Sequence, residues 1–250
     1  MKGEGRYYFV SDVHLGIRDD ASGSREKAFV AFLDSIPEET EAVFFLGDIF
    51  DFWVDYREVV PRGYTRVLGR FAALADRGVK LYFFKGNHDW WMTDYFKKEF
   101  GAIVVEEPYL VMPLGGKTFC LGHGDILNCS DPKARFIFRL FRNRFLIRIM
   151  KSLPSCLIVK FARKWAGHSR KQHSDYVFDV EGSDILRFAE DMNLTRPVDY
   201  YIFGHFHTPS RTSLKSGGEL FILGDWSRGE NYLYFSGMTI SGLGLPNIQR

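Results

Sequence analysis

Six short runs of β-branched and aromatic residues recur along the chain, each ending in a small polar motif: RYYFVSD (6–12), AVFFLGD (42–48), VKLYFFKGN (79–87), KTFCLGH (117–123), DYYIFGH (199–205) and ELFILGD (219–225). Apolar runs of this length, bounded by glycine and polar residues, predict strands buried on both faces. Between the early runs the apolar positions fall at helical spacing, in SREKAFVAFLDSI (24–36) and TRVLGRFAALADRG (65–78), the second closed by Gly78 as a C-cap. Strands alternating with helices predict βαβ units, hence an α/β fold whose sheet is flanked by helices. The C-terminal third is richer in strand than in helix, and NYLYFSG (231–237) is expected to close a second sheet.

One stretch breaks this rhythm. Residues 133–172 read as a helical insertion, divided in two by Pro154. Its first half, RFIFRLFRNRFLIRIMK (135–151), sets arginines every few positions through an otherwise apolar run. On a helical wheel Arg135, Arg139 and Arg142 fall on one side and Lys133, Arg144, Arg148 and Lys151 roughly on the other, with Phe and Ile filling the gaps. A helix apolar on more than one flank needs more than one apolar contact, its arginine stems lying along the apolar surface and their heads reaching for anions or water.

Charge sharpens that picture. From Pro132 to Ser174 there are twelve Lys and Arg and no Asp or Glu, which leaves 21 of the chain's 33 basic residues elsewhere against all 31 acidic ones. A helix that needs only solubility interleaves both signs, so the clustering points to an anionic partner. The arginines exclude a membrane-spanning helix, which needs about 20 predominantly apolar residues, but they suit contact with a membrane surface. At 250 residues the chain accommodates a single domain, 1–250, with this insertion. Three cysteines without a C-x-x-C pair argue against a disulfide framework or a zinc knuckle and fit a reducing cytoplasm. The N-terminal residues run straight into a strand without the apolar core of a secretion signal, so export by that route is not expected.

The ends of the predicted strands carry the chemistry. SDVHLG supplies Asp12 and His14, GDIFDFW supplies Asp48, GNHDWW supplies Asn87 and His88, GHGD supplies His123, and GHFH supplies His205 and His207. In open α/β sheets ligands sit beyond the carboxyl ends of the strands, so these groups are expected on one rim. Asp12, His14, Asp48, Asn87, His123, His205 and His207 together offer three oxygen donors and four imidazoles, a set suited to Mn²⁺, Fe²⁺ or Zn²⁺ rather than Mg²⁺ or Ca²⁺. Seven donors exceed what one ion uses; a carboxylate shared between two ions fits a two-metal clamp on phosphorus. For Asp12 and His14 to serve one ion the chain is expected to curl out of the strand there, a turn that Gly16 would allow. Singly, each motif is weak, since a strand-end histidine is more often a hydrogen-bonded surface residue. Five of the seven histidines in glycine-flanked motifs directly after apolar strands are a different matter.

In this order the motifs D-x-H, G-D-x-x-D, G-N-H-D, G-H and G-H-x-H resemble the calcineurin-like metallophosphoesterase family, over residues 6 to about 237. The resemblance implies a four-layer α/β/β/α sandwich with a helical lid insertion and a dinuclear site, with Mn²⁺ the first choice of metal. One ion would take Asp12, His14, Asp48 and His207, and the other Asp48, Asn87, His123 and His205, with Asp48 bridging. His88 would act on the transition state or leaving oxygen, oriented by Asp89, while Asp51 would hold loops.

Within the family, SDVHLG, GDIFDFW, the turn at Asp131, the insertion after the fourth motif and GDW (224–226) are most similar to pyrophosphatases that split a nucleotide-linked diacyl sugar. That likeness implies an acylated nucleotide-sugar lipid as substrate, sheltered by the insertion. Asp131, Arg163, Arg170 and Lys171 are the candidates for gripping it. It also implies a cytoplasmic protein in peripheral contact with the inner membrane surface and no stable nucleic-acid partner. The third motif departs from that branch, where G-N-R-D is common. The rival readings are a phosphodiesterase of nucleotides or nucleic acid on the same core, and a non-catalytic scaffold that binds membranes through the insertion.

Overall fold

The computed structural model describes residues 5–17, 20, 23–56, 58–127, 136, 140, 143–154, 157–158, 178–227 and 229–244. Its strands are β1 (Arg6–Val10), β2 (Thr40–Phe45), β3 (Lys80–Phe84), β4 (Ile103–Val105), β5 (Tyr109–Leu114), β6 (Lys117–Gly122), β7 (Tyr200–Phe203), β8 (Ser210–Ser213), β9 (Glu219–Ile222), β10 (Tyr232–Ser236) and β11 (Thr239–Leu243). The helices are α1 (Ser24–Ser35), α2 (Thr65–Asp76), α3 (Tyr95–Phe100), α4 (Arg144–Ser152) and α5 (Asp184–Thr195). The strands form two sheets, ordered β11-β10-β1-β2-β3-β4 and β5-β6-β7-β9-β8. In the first, β1 to β4 run parallel; in the second, β6, β7 and β9 do.

The side-chain period of two distributes each strand between two cores. Val10, Phe45 and Phe83 join Phe29, Phe32 and Phe71 of the helices, while Phe9, Phe44 and Phe84 join Phe119, Ile202 and Phe221 of the opposite sheet. On the far side Tyr201 and Phe203 pack with Ile185 and Ala189 of α5. Helix, sheet, sheet and helix are thus the four layers, and strands buried on both faces explain the continuous apolar runs.

Strand β10 departs from expectation. It pairs antiparallel with β1 in the first sheet, Tyr7 opposite Phe235, rather than closing the second. Its apolar residues Leu233 and Phe235 face the space between the sheets, where Phe235 meets Phe119 at a centroid distance of 5.0 Å. An apolar run specifies a strand; which edge it joins is decided by the sheet already built.

Most of the insertion lies outside the described residues, but α4 is within them. Asn143 caps it, its side chain accepting from Phe145 N at 2.9 Å and Leu146 N at 3.2 Å, and the helix stops two residues before Pro154. Ile147 is buried with Ile158 against Val54, Trp90 and Trp91, whereas Phe145 (68% exposed) and Ile149 (43%) face outward. The helix is therefore apolar on two flanks, only one of which is covered among the described residues.

Candidate metal centre

Beyond their last residues, β1 and β2 stay zipped. Leu46 N donates to Val10 O, Asp12 N to Gly47 O, His14 N to Asp48 O and Leu15 N to Ile49 O, at 2.7 to 3.1 Å. This ladder carries the first two motifs out to the rim as a pair. The curl that brings Asp12 and His14 to one side is made by those residues themselves. Among the described residues six non-glycine positions have positive φ, and five of them are Asp12 (53°), His14 (49°), Asp48 (53°), His205 (74°) and His207 (56°). Left-handed backbone costs a non-glycine residue about 1–2 kcal/mol, and such strain collects where a site needs it.

The seven donors form a continuous chain of polar atoms. Asp12 Oδ1 lies 3.2 Å from His207 Nε2, which is 3.2 Å from His14 Nε2, itself 3.9 Å from Asp48 Oδ2. Asp48 Oδ2 continues to His123 Nε2 at 3.4 Å, His123 Nε2 to Asn87 Oδ1 at 3.2 Å, and Asn87 Oδ1 to His205 Nδ1 at 2.9 Å. Asp48 Oδ2 stands in the middle, between the Asp12–His14–His207 group and the Asn87–His123–His205 group. Its other oxygen is committed elsewhere, accepting the His88 backbone N–H at 2.8 Å.

The glycines of the motifs make this approach possible. A Cβ at Gly86 would collide with the carboxylate of Asp48, one at Gly204 with that of Asp12, and one at Gly47 with the ring of His123. Each of these three glycines clears space for a donor from another motif, a stronger constraint than turn formation alone.

Protons and buried acceptors show what the site wants. His14 Nε2 and His207 Nε2 face each other and at most one proton can sit between them. His14 Nδ1 is buried without a hydrogen-bond partner. Burial opposes charge on His123, yet the facing carboxylate of Asp48 lifts its pKa to about 10. Burial likewise opposes charge on Asp12, but the hydrogen-bonded His207 holds it down at about 2. For Asp48, too, burial is overcome by its imidazole neighbours, His123 first, and it stays well below the usual carboxylate range. His205 is pushed down to about 3 by burial and then by His123, and His14 is held well below its ordinary value, chiefly by burial. Ionised carboxylates facing imidazoles, with His14 Nδ1 buried and unpartnered, fit divalent cations.

Two neighbours differ from expectation. Asp89 does not reach His88; its oxygens accept the backbone N–H groups of Gly86 (2.8 Å), Ile49 (3.0 Å) and Asp48 (3.3 Å), clamping the second motif to the third. Burial, then the charge of Asp48, raise its pKa to about 7. Asp51 takes the place at His88, whose Nδ1 lies 3.1 Å from the Asp51 carbonyl oxygen and 3.5 Å from its carboxylate. The same carboxylate is 4.0 Å from His14 Nδ1, so Asp51 belongs to the rim. Its place as the last residue of G-D-x-x-D was the available signal. Asp131, Arg163, Arg170 and Lys171 lie outside the described residues.

Residues 5–209 match the profile of the family described as calcineurin-like phosphoesterase. A UDP-2,3-diacylglucosamine hydrolase of Porphyromonas gingivalis is 39% identical over 251 residues, covering 94% of this chain and 95% of that protein. Proteins of the same name from Shewanella piezotolerans and Pseudomonas aeruginosa are each 31% identical, covering 96% and 88% of this chain and 98% and 90% of their own.

Proposed function

The chain belongs to the calcineurin-like phosphoesterase family, and from that premise we propose that it hydrolyses the pyrophosphate of UDP-2,3-diacylglucosamine, adding water across the P–O–P linkage to release UMP and 2,3-diacylglucosamine 1-phosphate. The observation that carries the reading is the chain of seven donors centred on Asp48 Oδ2, in a protein aligned almost end to end with hydrolases of that name.

Asp12, His14, Asp48 and His207 would hold one divalent cation and Asp48, Asn87, His123 and His205 a second, Mn²⁺ being the first choice and Fe²⁺ or Zn²⁺ the others. Bound there, the pair supplies charge neutralisation at a phosphoryl group and an activated water. The protein's own part is positioning. His88 Nδ1 donates to the Asp51 carbonyl, so Nε2 is the atom that would face the departing oxygen and, in the imidazolium form, pass it a proton. The inserted segment shelters the acyl chains, each buried methylene contributing about 0.8 kcal/mol. Asp131, Arg163, Arg170 and Lys171 are assigned to the substrate, the three basic residues to its sugar phosphate. No helix among the described residues is long and apolar enough to cross a membrane. The basic, doubly apolar insertion favours peripheral contact with the inner membrane surface, on its cytoplasmic side.

The test is a substrate panel with Mn²⁺: UDP-2,3-diacylglucosamine, UDP-sugars without acyl chains, an aryl phosphodiester and a single-stranded oligonucleotide. Strong preference for the acylated pyrophosphate, lost in Asp48→Ala, is the expected result. Equal rates on the deacylated sugar overturn the lipid assignment. Preference for the oligonucleotide moves the activity to nucleic acid.

A further inference from the structure

The stretch between β6 and α5 rests on the candidate centre at two places. Midway along it Ile147 and Met150 of α4, with Ile158, pack with Trp90 and Trp91, which directly follow His88 and Asp89. At its far end Phe178 lies flat on Phe206, with ring centroids 3.9 Å apart and planes at 20°.

Phe206 stands between His205 and His207, whose φ angles of 74° and 56° are both left-handed. A residue between two strained ones keeps its place only if its surroundings over-determine it. The backbone supplies part of that restraint. Phe206 N donates to Gly204 O and Gly204 N to His123 O, both at 3.0 Å, and His205 N donates to Asp12 Oδ2 at 2.9 Å. The ring supplies the rest: it is held on one face by Phe178 and rests against Gly124, where even a methyl group would come within 3.3 Å of it. Turning Phe206 out of this slot would carry both neighbouring imidazoles with it.

We infer that the Phe178–Phe206 stack is a positioning contact that couples the placement of the inserted segment's return to cation binding at His205 and His207. The inference rests on the cation reading given above. Coupling of this kind is reciprocal. Seating Phe178 pre-sets the two imidazoles, and cations on the imidazoles favour the seated ring.

The experiment follows hydrogen exchange of the whole protein during a Mn²⁺ titration and measures Mn²⁺ affinity in variants. In the wild type, cation addition raises protection at 178–180 as well as in the motif loops. Phe178→Leu and Phe206→Leu keep apolar bulk but lose the stacked faces, and each binds Mn²⁺ about tenfold more weakly. The double variant is no weaker than the singles, and Phe178→Tyr restores the affinity. A purely structural role would lower the melting temperature of the leucine variants and leave their Mn²⁺ affinity and the exchange at 178–180 unchanged, which overturns the coupling alone. A wild-type protein that binds no Mn²⁺ overturns the cation reading and the coupling together.

Discussion

Gly86→Ala is the substitution whose outcome the structure fixes most tightly. A Cβ at Gly86 would collide with Asp48 Oδ1, come within 2.5 Å of Asp48 N and lie 2.7 Å from Asp48 Cγ; the nitrogen is backbone, and the carboxylate is pinned by the His88 N–H. Gly86 is not among the positive-φ positions, so backbone strain does not enter and the effect is steric. Overpacking costs about 1–3 kcal/mol. Displacing Asp48 Oδ1 also loses the 2.8 Å bond from His88 N, and a hydrogen bond to a charged group contributes about 1.5–3 kcal/mol. The stiffer unfolded chain returns about 0.4–1 kcal/mol. The net loss is about 2–5 kcal/mol, or roughly 5–15 °C in the melting temperature of a chain this size. Gly69→Ala is the matched control, since it lies inside α2 with nothing within 4 Å of the added carbon. It should stabilise by about 0.5–1 kcal/mol. Thermal melts of the cation-free proteins, with metal content after Mn²⁺ loading, give the comparison. If Gly86→Ala melts with the wild type and holds two equivalents of Mn²⁺, the account of the motif glycines is wrong.

Other expectations follow from the same geometry. Asp48→Asn should lower Mn²⁺ content below one equivalent, because its Oδ2 faces both groups, whereas His207→Ala should leave about one; elemental analysis after gel filtration separates the two. In the cation-free protein Asp48 keeps His123 protonated to about 10 despite burial. That proton must leave when a cation binds. Mn²⁺ affinity should therefore rise with pH up to about 10, seen as proton release in calorimetry with buffers of different ionisation enthalpy. The raised His123 pKa also stabilises the cation-free fold fully below about 6.5, and this contribution is lost as pH climbs through 10. Asp55 is buried and accepts from Trp53 Nε1 (2.5 Å), Thr93 N (2.6 Å), Asp94 N (2.8 Å) and Tyr95 N (3.1 Å). Asp55→Ala should destabilise by about 3 kcal/mol or more in denaturant titration.

Much of this was legible in the chain. Periodicity exposed the core strands because the double burial of Phe44 and Phe45 leaves no polar face to interrupt the run. The seven donors were legible because each sits one or a few residues past such a strand. The edges were not. Strands β8 and β11 carry polar or small residues, since an edge strand has one neighbour and an open side, and β5 contains Pro113, tolerated only at an edge. Helix α3 spans six residues, too short for a helical period to show. The exchange of places between Asp51 and Asp89 was hidden for another reason: which carboxylate meets His88 depends on how two loops pack, and spacing says nothing of that.

The zipped extension of β1 and β2 bears on the order in which the molecule assembles. The donors run from residue 12 to residue 207, and the two segments that open the list meet only through a parallel pairing, the slowest kind of contact for a chain to find. A dissolved ion therefore meets no prearranged cage on a nascent or unfolded polypeptide. Under the proposed reading, cation capture would follow the pairing of these strands and secure the fold they make.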